Sequence, residues 1–122
     1  MTQLILHLVG DYVTQSDWMA QNKTRALWPA FCHAALYSLP FLLIGTPLAV
    51  LVIFGSHLLI DCFRLARYLV WARNWLSPGY FPWSQCSKTG SHDSPGGGGF
   101  WLMIAMDNTL HLACNYCALR WL

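Results

Sequence analysis

Glutamate is absent from this chain, and its other charges are few: five Asp and seven Lys plus Arg in 122 residues. At 10% charged, it falls well below the roughly 25% of an ordinary soluble domain. From Arg25 to Asp61 there are 35 consecutive residues without Asp, Glu, Lys or Arg. That stretch is too long for one core helix and long enough for two crossings of a bilayer joined by a tight turn. The net charge of +2 is too small for the electrostatic footprint of a nucleic-acid binder. No Gly-x-Ser-x-Gly elbow and no phosphate-loop motif occurs, so serine-hydrolase and P-loop chemistry are not indicated. No basic n-region with a small-residue cleavage site opens the chain, so a removable signal peptide is not expected. Cysteine supplies no framework either. Cys32, Cys62 and Cys114 lie in apolar stretches, Cys86 lies in a loop, and Cys114-x-x-Cys117 has no second pair to complete a zinc site.

Apolar residues and tryptophan are plentiful. The chain is 56% hydrophobic with seven Trp and a mean hydropathy of +0.39. The pattern predicts an all-α, integral membrane four-helix bundle in a single domain, 1–122. Its short helices fall at about 3–22, 24–44, 48–75 and 100–121, and a loop covers 76–98. Pro40 is a kink position, and Gly45-Thr46-Pro47 is a turn. Gly96 to Gly99 reads as a hinge. Lys23, Arg25, Arg64, Arg67, Arg73 and Lys88 lie in or beside two connections, and only Arg120 lies on the other side. That asymmetry predicts cytoplasmic connections and termini facing away from the cytoplasm, in a bacterial inner membrane. The bilayer is then the first partner, and a bundle this small is open to self-association as a homo-oligomer.

Three ionisable pairs interrupt the apolar stretches at i, i+4 spacing: His7–Asp11, His57–Asp61 and Asp107–His111. Each pair occupies one helix face. The reversed order of the third suits a helix running in the opposite direction. All three then place a carboxylate about 6 Å nearer the cytoplasm than its imidazole. An Asp at the centre of a membrane helix costs roughly 2.5–3.5 kcal/mol on insertion scales, so three unpaired ones would cost on the order of 8–10 kcal/mol. A divalent cation would neutralise them and engage the imidazoles together. His7, Asp11, His57, Asp61, Asp107 and His111 are therefore the expected ligands of one or two divalent transition-metal ions, with Zn or Mn best suited to mixed His and Asp donors. The plainer alternative is a hydrogen-bonded network joining the helices.

Around this centre, Asp11, Asp61 and Asp107 are the candidate general bases. His33, Lys23, Arg64 and Gln15 are candidate substrate contacts. Lys23 and Arg64 would meet an anionic group at the cytoplasmic mouth, and Gln15 lies one turn from Asp11. His92 and Asp93 lie in the loop and are not expected to be ligands.

The segments His7-Leu-Val-Gly-Asp11-Tyr-Val-Thr-Gln15, Asp17-Trp-Met-Ala and Asn22-Lys23 resemble the N-terminal signature of a family of small uncharacterised membrane proteins of bacteria and their phages. His57-Leu-Leu-Ile-Asp61, Thr89-Gly90 and Asp107-Asn-Thr-Leu-His111 resemble its later motifs, in the same order. The resemblance implies that the six His and Asp residues matter and supplies no reaction. A looser similarity, in the site alone, is to membrane-bound metal-dependent hydrolases. The expected function is a membrane-embedded metal-dependent hydrolase acting from the cytoplasmic side on a phosphorylated small molecule or a phospholipid. The alternatives are a non-enzymatic phage membrane protein that binds a host membrane or defence component through a fold held by structural metal, and a metal or proton conduit.

Overall fold

A computed structural model describes residues 1–79, 81–92 and 98–122. Asp93 and Gly96–Gly97, part of the expected hinge, lie outside the described residues. Among the described residues there are six α-helices and no strand: α1 (Thr2–Leu8), α2 (Asp17–Asn22), α3 (Leu27–Ser38), α4 (Pro47–Phe63), α5 (Leu65–Trp75) and α6 (Gly99–Trp121). The chain divides into two compact units, 1–63 with 111–122, and 64–110.

The breaks between helices have local causes. α1 widens into a π-helical turn at Val9–Val13, where the Thr14 amide reaches back to the Val9 carbonyl at 3.0 Å. Ser16 is extended and caps α2 by accepting from the Met19 amide. The single helix expected over 3–22 is therefore three pieces, separated by the polar run Thr14-Gln15-Ser16. Pro40 has no N–H to donate, and α3 passes into a 3-10 turn at Leu39–Leu43. Thr46 Oγ1 accepts from the Ala49 amide, and Pro47 opens α4, both favoured choices at a helix start. Arg64 has a φ of 50° and ends α4 in the left-handed region, so the helix expected over 48–75 is two.

In the first unit, α4 turns a ladder of every fourth residue inward: Ala49, Ile53, His57 and Asp61, all buried. The first two rungs join Tyr37, Phe41 and Ala118 in the apolar core, with Leu6, Val50 and Leu119 against it. The last two rungs enter a polar interior. Among the described residues eight polar or charged ones are buried, all of them in this unit: His7, Asp11, His33, Ser38, His57, Asp61, His111 and Asn115. Much of its exterior is apolar by contrast; Leu43 is 82% exposed and Leu27 is 74% exposed.

In the second unit, α5 is laced to the segment that follows it. Arg64 donates to Lys88 O, Arg67 donates to Ser87 O, and Asn74 donates to Gly90 O. Arg67 also lies over the Tyr68 and Trp83 rings. Residues 81–92, expected as loop, are ordered by these contacts and by a 3-10 turn at Trp83–Gln85.

No single helix among the described residues is long and apolar enough to cross a membrane. One bent pair, Pro47–Phe63 with Leu65–Trp75, meets the requirement of length and composition only when taken together. α6 has the length, but Asp107, Asn108, His111 and Asn115 dilute its apolar character.

Candidate metal centre

Four chain segments deliver buried His and Asp side chains to one place in the first unit. The π turn presents Asp11, α3 presents His33, α4 presents His57 and Asp61, and α6 presents His111. Their ligand atoms form two groups in which every atom lies within 4.8 Å of the others: Asp11, His33 and His57, and His57, Asp61 and His111. His57 belongs to both. Its Nε2 lies 2.9 Å from His33 Nε2, 3.3 Å from Asp61 Oδ2 and 3.6 Å from Asp11 Oδ1. His33 Nε2 is 3.3 Å from Asp11 Oδ1 and 3.4 Å from Asp61 Oδ2, and His111 Nε2 is 3.6 Å from Asp61 Oδ1. Oxygen and imidazole donors converging at this spacing can bind a metal ion; the type of ion is not specified by the geometry.

The rings are held by stacking as well as by hydrogen bonds. His57 is sandwiched between Tyr37, at 3.7 Å between centroids, and His111, at 4.0 Å. Tyr37 Oη accepts from Asn115 Nδ2 at 2.6 Å and lies 2.7 Å from His7 Nδ1. His7 Nδ1 in turn lies 3.5 Å from Asp11 Oδ2. His7 is thus a fully buried brace between Tyr37 and Asp11 and belongs to neither group. Asp107 is half-buried on α6, one turn before His111, and also belongs to neither.

The expected substrate contacts are distributed differently. His33 is a member of the first group. Lys23 Nζ lies 3.1 Å from Asp61 Oδ2 and 3.3 Å from His33 Nε2. Gln15 is half-buried just after the π turn, and its Oε1 is buried without a hydrogen bond. Arg64 belongs to the second unit, where it donates to the Lys88 carbonyl. Beside Lys23 is a cavity of about 200 Å³ between Thr24, Arg25, Leu27, Cys62 and Phe63. Tyr37 and Asn115 were not expected from the sequence. A signal existed: His33–Tyr37 and His111–Asn115 continue the same i, i+4 spacing.

Gly10 permits this arrangement. A Cβ there would run into the Tyr37 ring, which is fully buried and tied to His7 and Asn115. Gly10→Ala is expected to destabilise the protein by about 1–3 kcal/mol, the usual range for overpacking. Because Tyr37 stacks on His57, the substitution should also weaken the binding of zinc added as a probe of the candidate centre. Thermal melting with and without zinc checks both effects.

No curated protein matches this chain. No solved structure matches it. A family model matches residues 1–86, well over half of the chain. The chain therefore belongs to the family described as Protein of unknown function (DUF3307).

Proposed function

We propose that this protein is a membrane-embedded metal-dependent hydrolase whose centre is formed by Asp11, His33, His57, Asp61 and His111. The observation that carries the reading is the pair of buried donor groups sharing His57. Two buried carboxylates require a compensating cation, and imidazoles lying among them are suited to a transition ion. The polar interior and apolar exterior of the first unit support a bilayer setting, in which lipid covers the exposed leucines. The basic cavity at Lys23 and Arg25 supports a cytoplasmic mouth that admits an anionic group. The substrate class is a phosphoester, either a phospholipid or a phosphorylated small molecule.

A bound ion supplies Lewis acidity and lowers the pKa of its water. The chain supplies the rest. Tyr37 and His111 fix the His57 plane, His7 braces Asp11, and the buried walls limit competing water. A carboxylate oxygen of Asp11 or Asp61 would accept the proton of the attacking water.

Purified protein in a bilayer mimetic is expected to carry a stoichiometric transition metal by elemental analysis and to hydrolyse a phosphomonoester or a phospholipid. EDTA should remove metal and activity together, and zinc or manganese should restore both. Wild-type protein without metal, with melting indifferent to EDTA, would sink the reading in favour of a hydrogen-bonded network. A structural centre is the second reading, favoured by the near-complete burial of His33, His57 and His111. It predicts metal and a chelator-sensitive melting temperature without hydrolysis, since a catalytic ion needs an open coordination position.

A further inference from the structure

One cation already stands among the donors. The Lys23 ammonium contacts Asp61 Oδ2 at 3.1 Å and His33 Nε2 at 3.3 Å. It carries three N–H donors and no acceptor, so it competes with an ion for the single lone pair of His33 Nε2 and for one acceptor site of Asp61. With neutral imidazoles, Asp11 and Asp61 bring two negative charges to the interior and Lys23 returns one positive. A divalent ion added to that set leaves an excess positive charge in a buried site, which is unfavourable unless the ammonium leaves or an anion joins. The structure offers a destination. Lys23 is the C-cap of α2, where the chain turns toward α3, and it lines the same cavity as Arg25. A flexible four-carbon stem can carry the ammonium from one place to the other without moving the helix.

We propose that Lys23 is the counter-ion of the ion-free centre, and that metal binding turns its ammonium from Asp61 into the adjoining cavity, where it and Arg25 receive a phosphate or phosphonate group. The inference rests on the metal-centre reading and adds to it a coupling. Metal binding prepares the anion subsite, and an anion in the subsite tightens the metal by the same factor.

The test measures zinc affinity by competition with a chromophoric chelator, in phosphatidylcholine nanodiscs. Methylphosphonate is added in solution in one arm, and phosphatidic acid is included in the bilayer in the other. In wild type, one of these should tighten zinc by at least about fivefold, the lower end of typical couplings; which one does so identifies a soluble or a lipid source. Without any anion, Lys23→Met should bind zinc at least about fivefold more tightly than wild type, because the competing cation is gone, and should lose most of the coupling. Arg25→Gln should keep the wild-type zinc affinity and show reduced coupling. If Lys23→Met does not fold, the wild-type coupling and its reduction in Arg25→Gln decide the matter. Zinc affinity that is unchanged or weaker in Lys23→Met overturns the role of Lys23 and leaves the metal centre standing. Tightening by neither anion overturns the subsite. Zinc bound by neither wild type nor Lys23→Met removes the metal centre and this inference together.

Discussion

Replacing His57 by alanine is expected to lower the zinc affinity of the proposed centre by more than about 100-fold, beyond the 10–100-fold typical of losing a partner that only orients a ligand. His57 is the member common to both donor groups. Without it, the first group keeps only Asp11 and His33, and the second only Asp61 and His111. Neither remnant has the three protein ligands of a catalytic zinc site. The same change opens a gap in the stack of Tyr37, His57 and His111. Stability conferred by metal should disappear as well, because metal-binding free energy is part of folding free energy. A zinc titration and melting curves in the presence and absence of EDTA measure both effects. His7→Ala is the comparison: His7 contacts Tyr37, Asp11 and the His111 ring and belongs to neither donor group, so its loss should fall within about 10–100-fold. Equal losses for the two variants, or no loss for His57→Ala, would contradict a centre organised on His57.

Gly90→Ala should be the most destabilising single methyl added to the second unit. Gly90 has a φ of 76°, a left-handed conformation that costs other residues roughly 1–2 kcal/mol. A Cβ there would also collide with the Arg67 carbonyl and come within 2.8 Å of the Trp71 amide nitrogen and 2.9 Å of Val70 Cβ. Backbone atoms inside a helix cannot swing aside as the tip of a side chain can. Overpacking adds about 1–3 kcal/mol, for a total near 3 kcal/mol or more. The melting temperature should fall by about 10 °C. Displacement of this segment would also break the bond from Asn74 to Gly90 O and disturb those from Arg64 and Arg67 to its neighbours. Gly79→Ala separates the two causes: its φ is 88°, and nothing lies within 4 Å of the added carbon. It should show the conformational cost alone, about 1–2 kcal/mol. Similar melting of the two variants would mean that the close approach at Gly90 relaxes freely.

The sequence by itself determined the helical class, through long apolar stretches punctuated by Pro, Gly and Ser. It also singled out His57, Asp61, Asp11 and His111, which the structure buries together, because i, i+4 spacing puts polar pairs on one helix face and burial of such pairs is expensive. The breaks within helices were less legible. Thr14-Gln15-Ser16 and Pro40 marked two of them, but a lone left-handed Arg64 and a π turn at Val9–Val13 have no local signature. They are backbone states selected by packing. Tertiary structure decided which further side chains join the buried cluster. Neither His33 nor Lys23 has a carboxylate three or four residues away, and their approach to Asp11 and Asp61 depends on how α2 and α3 lie against the π turn and α4. His7 has the same spacing to Asp11 that His57 has to Asp61, yet Tyr37 and Asn115 turn it into a brace. Spacing along one helix fixes which side chains share a face. Which of them supply donors to a common point depends on the rotation and depth of each helix, and these follow from contacts such as Gly10 against Tyr37, between residues far apart in the chain.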